Sequence, residues 1–131
     1  MTTMKLQKLV YYSQGWSLAW DEEPLFAESI RAWANGPVVY ELFDLHRGKF
    51  RLSGWAQGSG ENLTETQKDT VNAVLDSYGN LSGQQLIEKT HRERPWIEAR
   101  GDRADGDYGN TEIDQQVMQD FFGGLATAAE V

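Results

Sequence analysis

No cysteine occurs among the 131 residues, so disulfides, thiol nucleophiles and cysteine-containing zinc sites are all excluded. That absence suits a reducing cytoplasm. Only three prolines are present, Pro24, Pro37 and Pro95, and each marks the edge of a regular segment. Basic residues are scarce beside acidic ones, 12 against 20, and the net charge of −8 opposes loose contact with phosphate backbones. The basic residues that exist are interleaved with acids, as in Lys89-Thr90-His91-Arg92-Glu93-Arg94, and form no stripe for nucleic acid. No run approaches the ~20 apolar residues of a membrane span. Met1 to Lys5 passes directly into an amphipathic pattern, with no secretory h-region. A cytoplasmic protein with neither DNA nor membrane as partner is the expectation.

What is present is a set of helical signals. Leu6, Leu9, Val10 and Trp16 recur at mainly helical spacing between Met4 and about Trp20, with Lys5, Lys8 and Gln14 largely off the stripe. Asp21-Glu22-Glu23-Pro24 ends that helix, because consecutive acids oppose its negative end and proline restricts the residue before it. Phe26, Ile30 and Ala32 share one parity, which predicts a short strand. Ala32-Trp33-Ala34-Asn35-Gly36-Pro37-Val38 then forces an abrupt change of direction. Pro37 has the φ suited to a first helical position, so the spacing predicts a helix from Pro37 to Gly48 carrying Val39, Leu42, Phe43 and His46 on one face. Phe50 and Leu52 alternate as a second strand, followed by glycine-rich chain, and a pairing with the first extended segment is expected.

Two capping boxes fix further helix starts, Thr64 with Gln67 and Ser82 with Gln85. The first helix presents Val71, Val74, Leu75 and Tyr78, and the second runs to about Thr90. Pro95 opens a short helix through Trp96 and Ile97 that stops at Gly101. A polar loop leads to a last helix near Thr111, which Gly123-Gly124 ends. The expectation is a mostly α (α+β) single compact domain over residues 1–122, with five or six helices, a small two-stranded antiparallel β element, and residues 123–131 as a flexible tail.

Catalytic and metal signatures fail one by one. His91-Arg92-Glu93 matches the His-x-Glu half of a zinc-deaminase site, but the Pro-Cys-x-x-Cys half is missing. Asp102, Asp105 and Asp107 resemble a calcium loop, yet Asn110 stands where the turn glycine belongs and Gln116 where the bidentate glutamate belongs. Neither a Gly-x-Ser-x-Gly elbow nor a phosphate-binding loop is present. No catalytic residue, cofactor or metal is therefore expected, with a small metal-dependent hydrolase using His91 and Glu93 as the lesser alternative. Left unexplained is an excess of aromatic residues near turns. Tyr12, Trp33 and Trp96, with His91 beside the last, are candidate anchors for a protein partner, although most such aromatics belong to the core and for Trp33 a core role is favoured.

An ordered set of motifs resembles the Panacea antitoxin domain, a family that includes SocA-like antitoxins and phage-associated GepA-like proteins. It comprises Lys5-Leu6-Gln7-Lys8-Leu9-Val10-Tyr11-Tyr12, Gly15-Trp16-Ser17-Leu18-Ala19, Pro24-Leu25-Phe26, Ala32-Trp33 with Gly36-Pro37-Val38, Tyr78-Gly79, Leu81-Ser82-Gly83, Thr90-His91-x-Glu93-x-Pro95-Trp96 and Ala99-Arg100. Within that signature Gly36, Pro37, Ser82 and Pro95 are structural. The resemblance implies a cytoplasmic, non-enzymatic bacterial or phage protein that neutralises a co-encoded protein toxin by direct binding, or delivers it to a host protease. It also leaves room for a phage accessory protein that binds a host factor. The appended helix-turn-helix of longer members is missing, which argues against DNA binding. The toxin's identity, the binding face and the oligomeric state are not written in the sequence.

Overall fold

A computed structural model describes residues 2–46, 63–104 and 106–129. Its elements in chain order are α1 (Thr3–Asp21), β1 (Ile30–Trp33), β2 (Gly36–Val39), α2 (Tyr40–His46), α3 (Glu65–Tyr78), α4 (Gly83–Thr90), α5 (Arg94–Arg100) and α6 (Gln115–Ala129). The mostly helical architecture with one small antiparallel sheet is as expected. The second strand and the glycine-rich chain expected after Lys49 lie outside the described residues.

α1 is the central element, packed against α3, α4, α6 and β2. Being surrounded, it buries far more than one stripe. Gln7, Lys8, Ser13, Gln14 and Ser17 are interior alongside Leu9, Tyr11, Tyr12 and Leu18. Interior polar groups need partners, and here most of these side chains bond to main chain. The Gln7 amide donates to Val39 O (3.3 Å) and accepts from Val39 N (2.9 Å), as a neighbouring strand would. Gln14 does the same for the chain after the helix, accepting from Leu25 N and donating to Phe26 O. Lys8 and Gln14, expected off the buried stripe, are thus among the most enclosed residues. The stripe follows apolar side chains, whereas these polar ones are held inside by main chain that only the tertiary fold brings near. Burial lowers the Lys8 ammonium to about 8, and its Nζ donates to Pro37 O at 3.2 Å.

The segment around Gly36 differs from the helix start predicted there. Gly36 and Pro37 open β2, and helix begins only at Tyr40. β1 and β2 form a hairpin in the register Ile30↔Val39, Arg31↔Val38, Ala32↔Pro37, Trp33↔Gly36, so the first strand's partner is this one. Proline is tolerated because Ala32, opposite it, turns its polar groups outward. Ala32 N donates to Thr111 O and its carbonyl accepts from Arg100, so the missing Pro37 N–H leaves no acceptor orphaned. Gly36 has φ +110, and a Cβ there would lie 2.8 Å from Lys8 Cε and 2.9 Å from Thr90 Oγ1. Glycine is required twice over, by backbone angle and by space.

Both capping boxes form as predicted, at Thr64 with Gln67 and at Ser82 with Gln85. Pro95 sits in the first turn of α5. At the other end, Thr111 to Ile113 is extended along β1 rather than helical: Arg31 bridges Glu112, and Ile113 N donates to Ile30 O at 2.7 Å. α6 then runs through Gly123-Gly124 to Ala129, past the expected stop, with Thr127 Oγ1 bonded to Gly123 O. Two glycines weaken a helix by roughly 1 kcal/mol each, which does not oblige it to end. Apart from the adjoining backbone of α6 itself, no described atom lies within 4 Å of a Cβ built on either glycine. Gly123→Ala with Gly124→Ala is therefore expected to stabilise the chain by up to about 2 kcal/mol in urea unfolding.

Candidate interaction site

Two aromatic clusters of opposite character dominate the molecule. The first is internal. Tyr11 and Tyr12, successive residues of α1, both point their hydroxyls at Glu93, which lies in the turn between α4 and α5 and forms the N-cap of α5. Tyr12 Oη lies 3.0 and 3.1 Å from the two carboxylate oxygens, and Tyr11 Oη 3.3 Å from one of them. Tyr12 also stacks on Tyr78 at 4.1 Å, and Tyr78 Oη accepts from Trp16 Nε1 at 3.0 Å. Burial pushes the Glu93 carboxyl up to about 7, outweighing the tyrosine hydrogen bonds and the charge of Lys89. The same burial, with Glu93 nearby, raises both tyrosines far above their ordinary range. This knot ties α1 to α3 and to the α4–α5 turn.

Tyr12 and Trp96, candidates for either partner anchors or core, belong to this interior. Tyr12 has no exposed surface and Trp96 is 3% exposed. Trp96 Nε1 donates to Trp33 O at 2.9 Å, and the His91 ring stacks on Trp96 at 4.1 Å. His91 and Glu93 are thus committed to different neighbours, an imidazole against an indole and a carboxylate against two phenols. Among the described residues, no three His, Cys, Asp or Glu side chains gather in a cluster able to hold a metal ion.

The second cluster faces outward. Trp33, at the end of β1, is half-buried and makes edge contacts with Phe43 (4.9 Å) and Tyr40 (6.2 Å) of α2. Its Nε1 donates to Asn110 Oδ1 at 2.9 Å, which joins the hairpin to the loop after α5. That loop is set by Arg100, a buried side chain at the end of α5. Its guanidinium donates to Ala32 O (3.3 Å) and to Ala104 O and Asp107 O (2.8 Å each), while its Cζ lies 5.4 Å from the centre of the Trp96 ring. Two carbonyls of the supposed calcium loop are therefore already occupied by a protein cation. Gly109 packs so tightly here that a Cβ would fall 2.7 Å from Arg100 Nη1.

Together the hairpin tip and this loop frame a shallow cavity of about 300 Å³ lined by Trp33, Ala34, Asn35, Tyr108 and Gly109. Tyr108 is 85% exposed, the most accessible of the exposed large hydrophobic residues described. An exposed tyrosine and a half-buried tryptophan on a positioned backbone have the composition of a protein-binding surface. Trp33 alone of the four sequence-proposed partner residues lies at this face. Sequence reasoning missed Tyr108, Asn110 and Arg100, which occupy or flank a loop with no periodic pattern. The one signal was a lone tyrosine among glycine and aspartate, a setting in which an aromatic ring has little local core to enter.

Compared with known families, residues 6–97 match the one described as antitoxin SocA-like, Panacea domain. No curated protein and no solved structure matches the chain. The matched stretch runs from the first turns of α1 into α5 and includes the Tyr11–Tyr12–Glu93 knot, the hairpin and Trp33, whereas Tyr108 lies beyond it. No described helix is long and apolar enough to cross a membrane. Covering well over half of the sequence and containing the interior knot as well as the hairpin, the match places this chain in the SocA-like Panacea antitoxin domain family.

Proposed function

We propose that this chain is an antitoxin that neutralises a nearby-encoded protein toxin by direct binding, without catalysis of its own, and that the Trp33–Tyr108 face makes the contact. The family match over residues 6–97 carries the reading. The exposed Tyr108 beside the half-buried Trp33 supports the choice of face, since tryptophan and tyrosine dominate interface energetics. The charge of −8 favours a basic toxin surface and fast encounter with it. DNA is not a partner in this reading, and the site of action is the cytoplasm.

Co-expression with each neighbouring gene is the test. One neighbour should be toxic alone, harmless with this chain, and co-purify with it; a toxic neighbour that is neither rescued nor bound removes the proposal. Toxin half-life in the rescued cells separates holding from delivery to a host protease, since only delivery shortens it. Tyr108→Ala should leave the thermal midpoint unchanged and weaken toxin binding at least ~10-fold, the cost of a modest hot spot. Trp33→Ala should weaken binding more, by ~30-fold or beyond, with some loss of stability from its contacts to Tyr40 and Phe43.

A further inference from the structure

α2 divides its apolar side chains between two faces. At 100° per residue, Tyr40 and Phe43 lie on the side of Trp33, while Glu41, Leu42 and Leu45 lie on another. That other side is one wall of a groove of about 270 Å³, completed by Val10 of α1, Val39 of β2, and Phe26 and Glu28 from the connection between α1 and β1. Leu45 is half exposed, an unusual position for a leucine at the end of a short helix. The groove falls below the ~300–1,000 Å³ of most small-molecule sites, and among the described residues its only charged lining side chains are the two exposed glutamates. Neither a cofactor nor an anion suits a cleft that offers apolar walls and carboxylates. An amphipathic helix does, laying apolar side chains on Val10, Phe26, Leu42 and Leu45 and its flanking lysines or arginines against Glu28 and Glu41.

We propose that this groove is a second docking site, distinct from the Trp33–Tyr108 face, for a basic amphipathic helical segment of a partner protein. The charge complementarity of the rim selects the occupant: an acidic helix would bring like charges to Glu28 and Glu41, and a neutral one would leave them unused.

The test uses the full chain and two synthetic helical peptides, one of leucine and lysine and one with every lysine replaced by glutamate. Binding is followed by titration calorimetry. The lysine peptide should bind and weaken as salt is raised, and the glutamate peptide should not bind. Glu28→Lys with Glu41→Lys, and separately Leu45→Glu, should each weaken the lysine peptide at least ~10-fold. Asp69→Lys with Asp76→Lys, on α3, makes the same change in net charge away from the groove and should leave its affinity within about twofold. Equal loss in that control, equal binding of both peptides, or no binding of either overturns the proposal. So does a concentration-dependent dimer that Leu45→Glu dissociates, because the groove then belongs to a second copy. Toxin neutralisation is not read in this experiment, so its result stands apart from that of the antitoxin test.

Discussion

Gly15→Ala is expected to destabilise the fold by about 3 kcal/mol or more, seen as a lower urea midpoint with an unchanged slope. Gly15 is where α1 and α6 meet. A Cβ built there overlaps three carbons of the Phe122 ring, the farthest of them at 2.8 Å, closer than any carbon contact. A flexible side chain could withdraw, but Phe122 cannot. It is fully buried, and Tyr11, Tyr12, Trp16 and Phe121 surround its ring at centroid distances of 5.0 to 6.0 Å. A methyl group at Gly15 must therefore part the two helices. If the clash is the cause, Phe122→Leu should recover part of the loss when combined with Gly15→Ala, giving strong coupling between two individually harmful changes. Simple additivity would assign the Gly15 effect to something other than Phe122.

The second large effect is a pH dependence that Glu93→Gln removes. The Glu93 carboxyl stands at about 7 in the folded chain against an ordinary value near 4.5. The native state therefore holds a proton that the unfolded state has lost, and unfolding free energy falls as pH rises across this window. The stabilisation is complete below about pH 4.5 and gone above about pH 7, a span of about 3 kcal/mol at 1.36 kcal/mol per unit. Other carboxylates titrate in part of this range, so the informative quantity is the difference between the two proteins. Glutamine keeps an oxygen to accept the Tyr11 and Tyr12 hydroxyls but cannot ionise. The Glu93→Gln chain should therefore be the more stable of the two at pH 8, and the gap should close toward pH 4.5. A gap that is constant with pH would mean that folding leaves the Glu93 carboxyl titrating as it does in the unfolded chain.

Local chemistry is legible in a sequence and tertiary chemistry is not. Thr64 with Gln67 and Ser82 with Gln85 were legible because a capping box is local chemistry, complete within four residues. Gly36-Pro37 was misread for a nonlocal reason: proline suits a helix start and an outward strand position equally, and the chain that decides between them, Arg100 and Thr111, lies more than sixty residues away. Lys8, Gln7 and Gln14 follow the same logic, since their main-chain partners become visible only when the chain is folded. Gly123-Gly124 misled in the opposite sense, a local stop signal overridden by the continuation of α6. At the candidate site, Trp33 was legible as a large side chain near a turn. Tyr108 was not, because its importance comes from the guanidinium that holds its loop.

That guanidinium has a consequence for how recognition can change over generations. Arg100 grips the loop through the carbonyls of Ala104 and Asp107, and main-chain oxygens are the same whatever side chain is attached. Positions 102, 104, 107 and 108 are exposed, whereas the Arg103 guanidinium donates to Arg100 O and helps to hold the turn. On the proposed Trp33–Tyr108 face the loop could therefore exchange side chains at those four positions while its path stays fixed, which would open new specificities to single substitutions without the cost of refolding for each one.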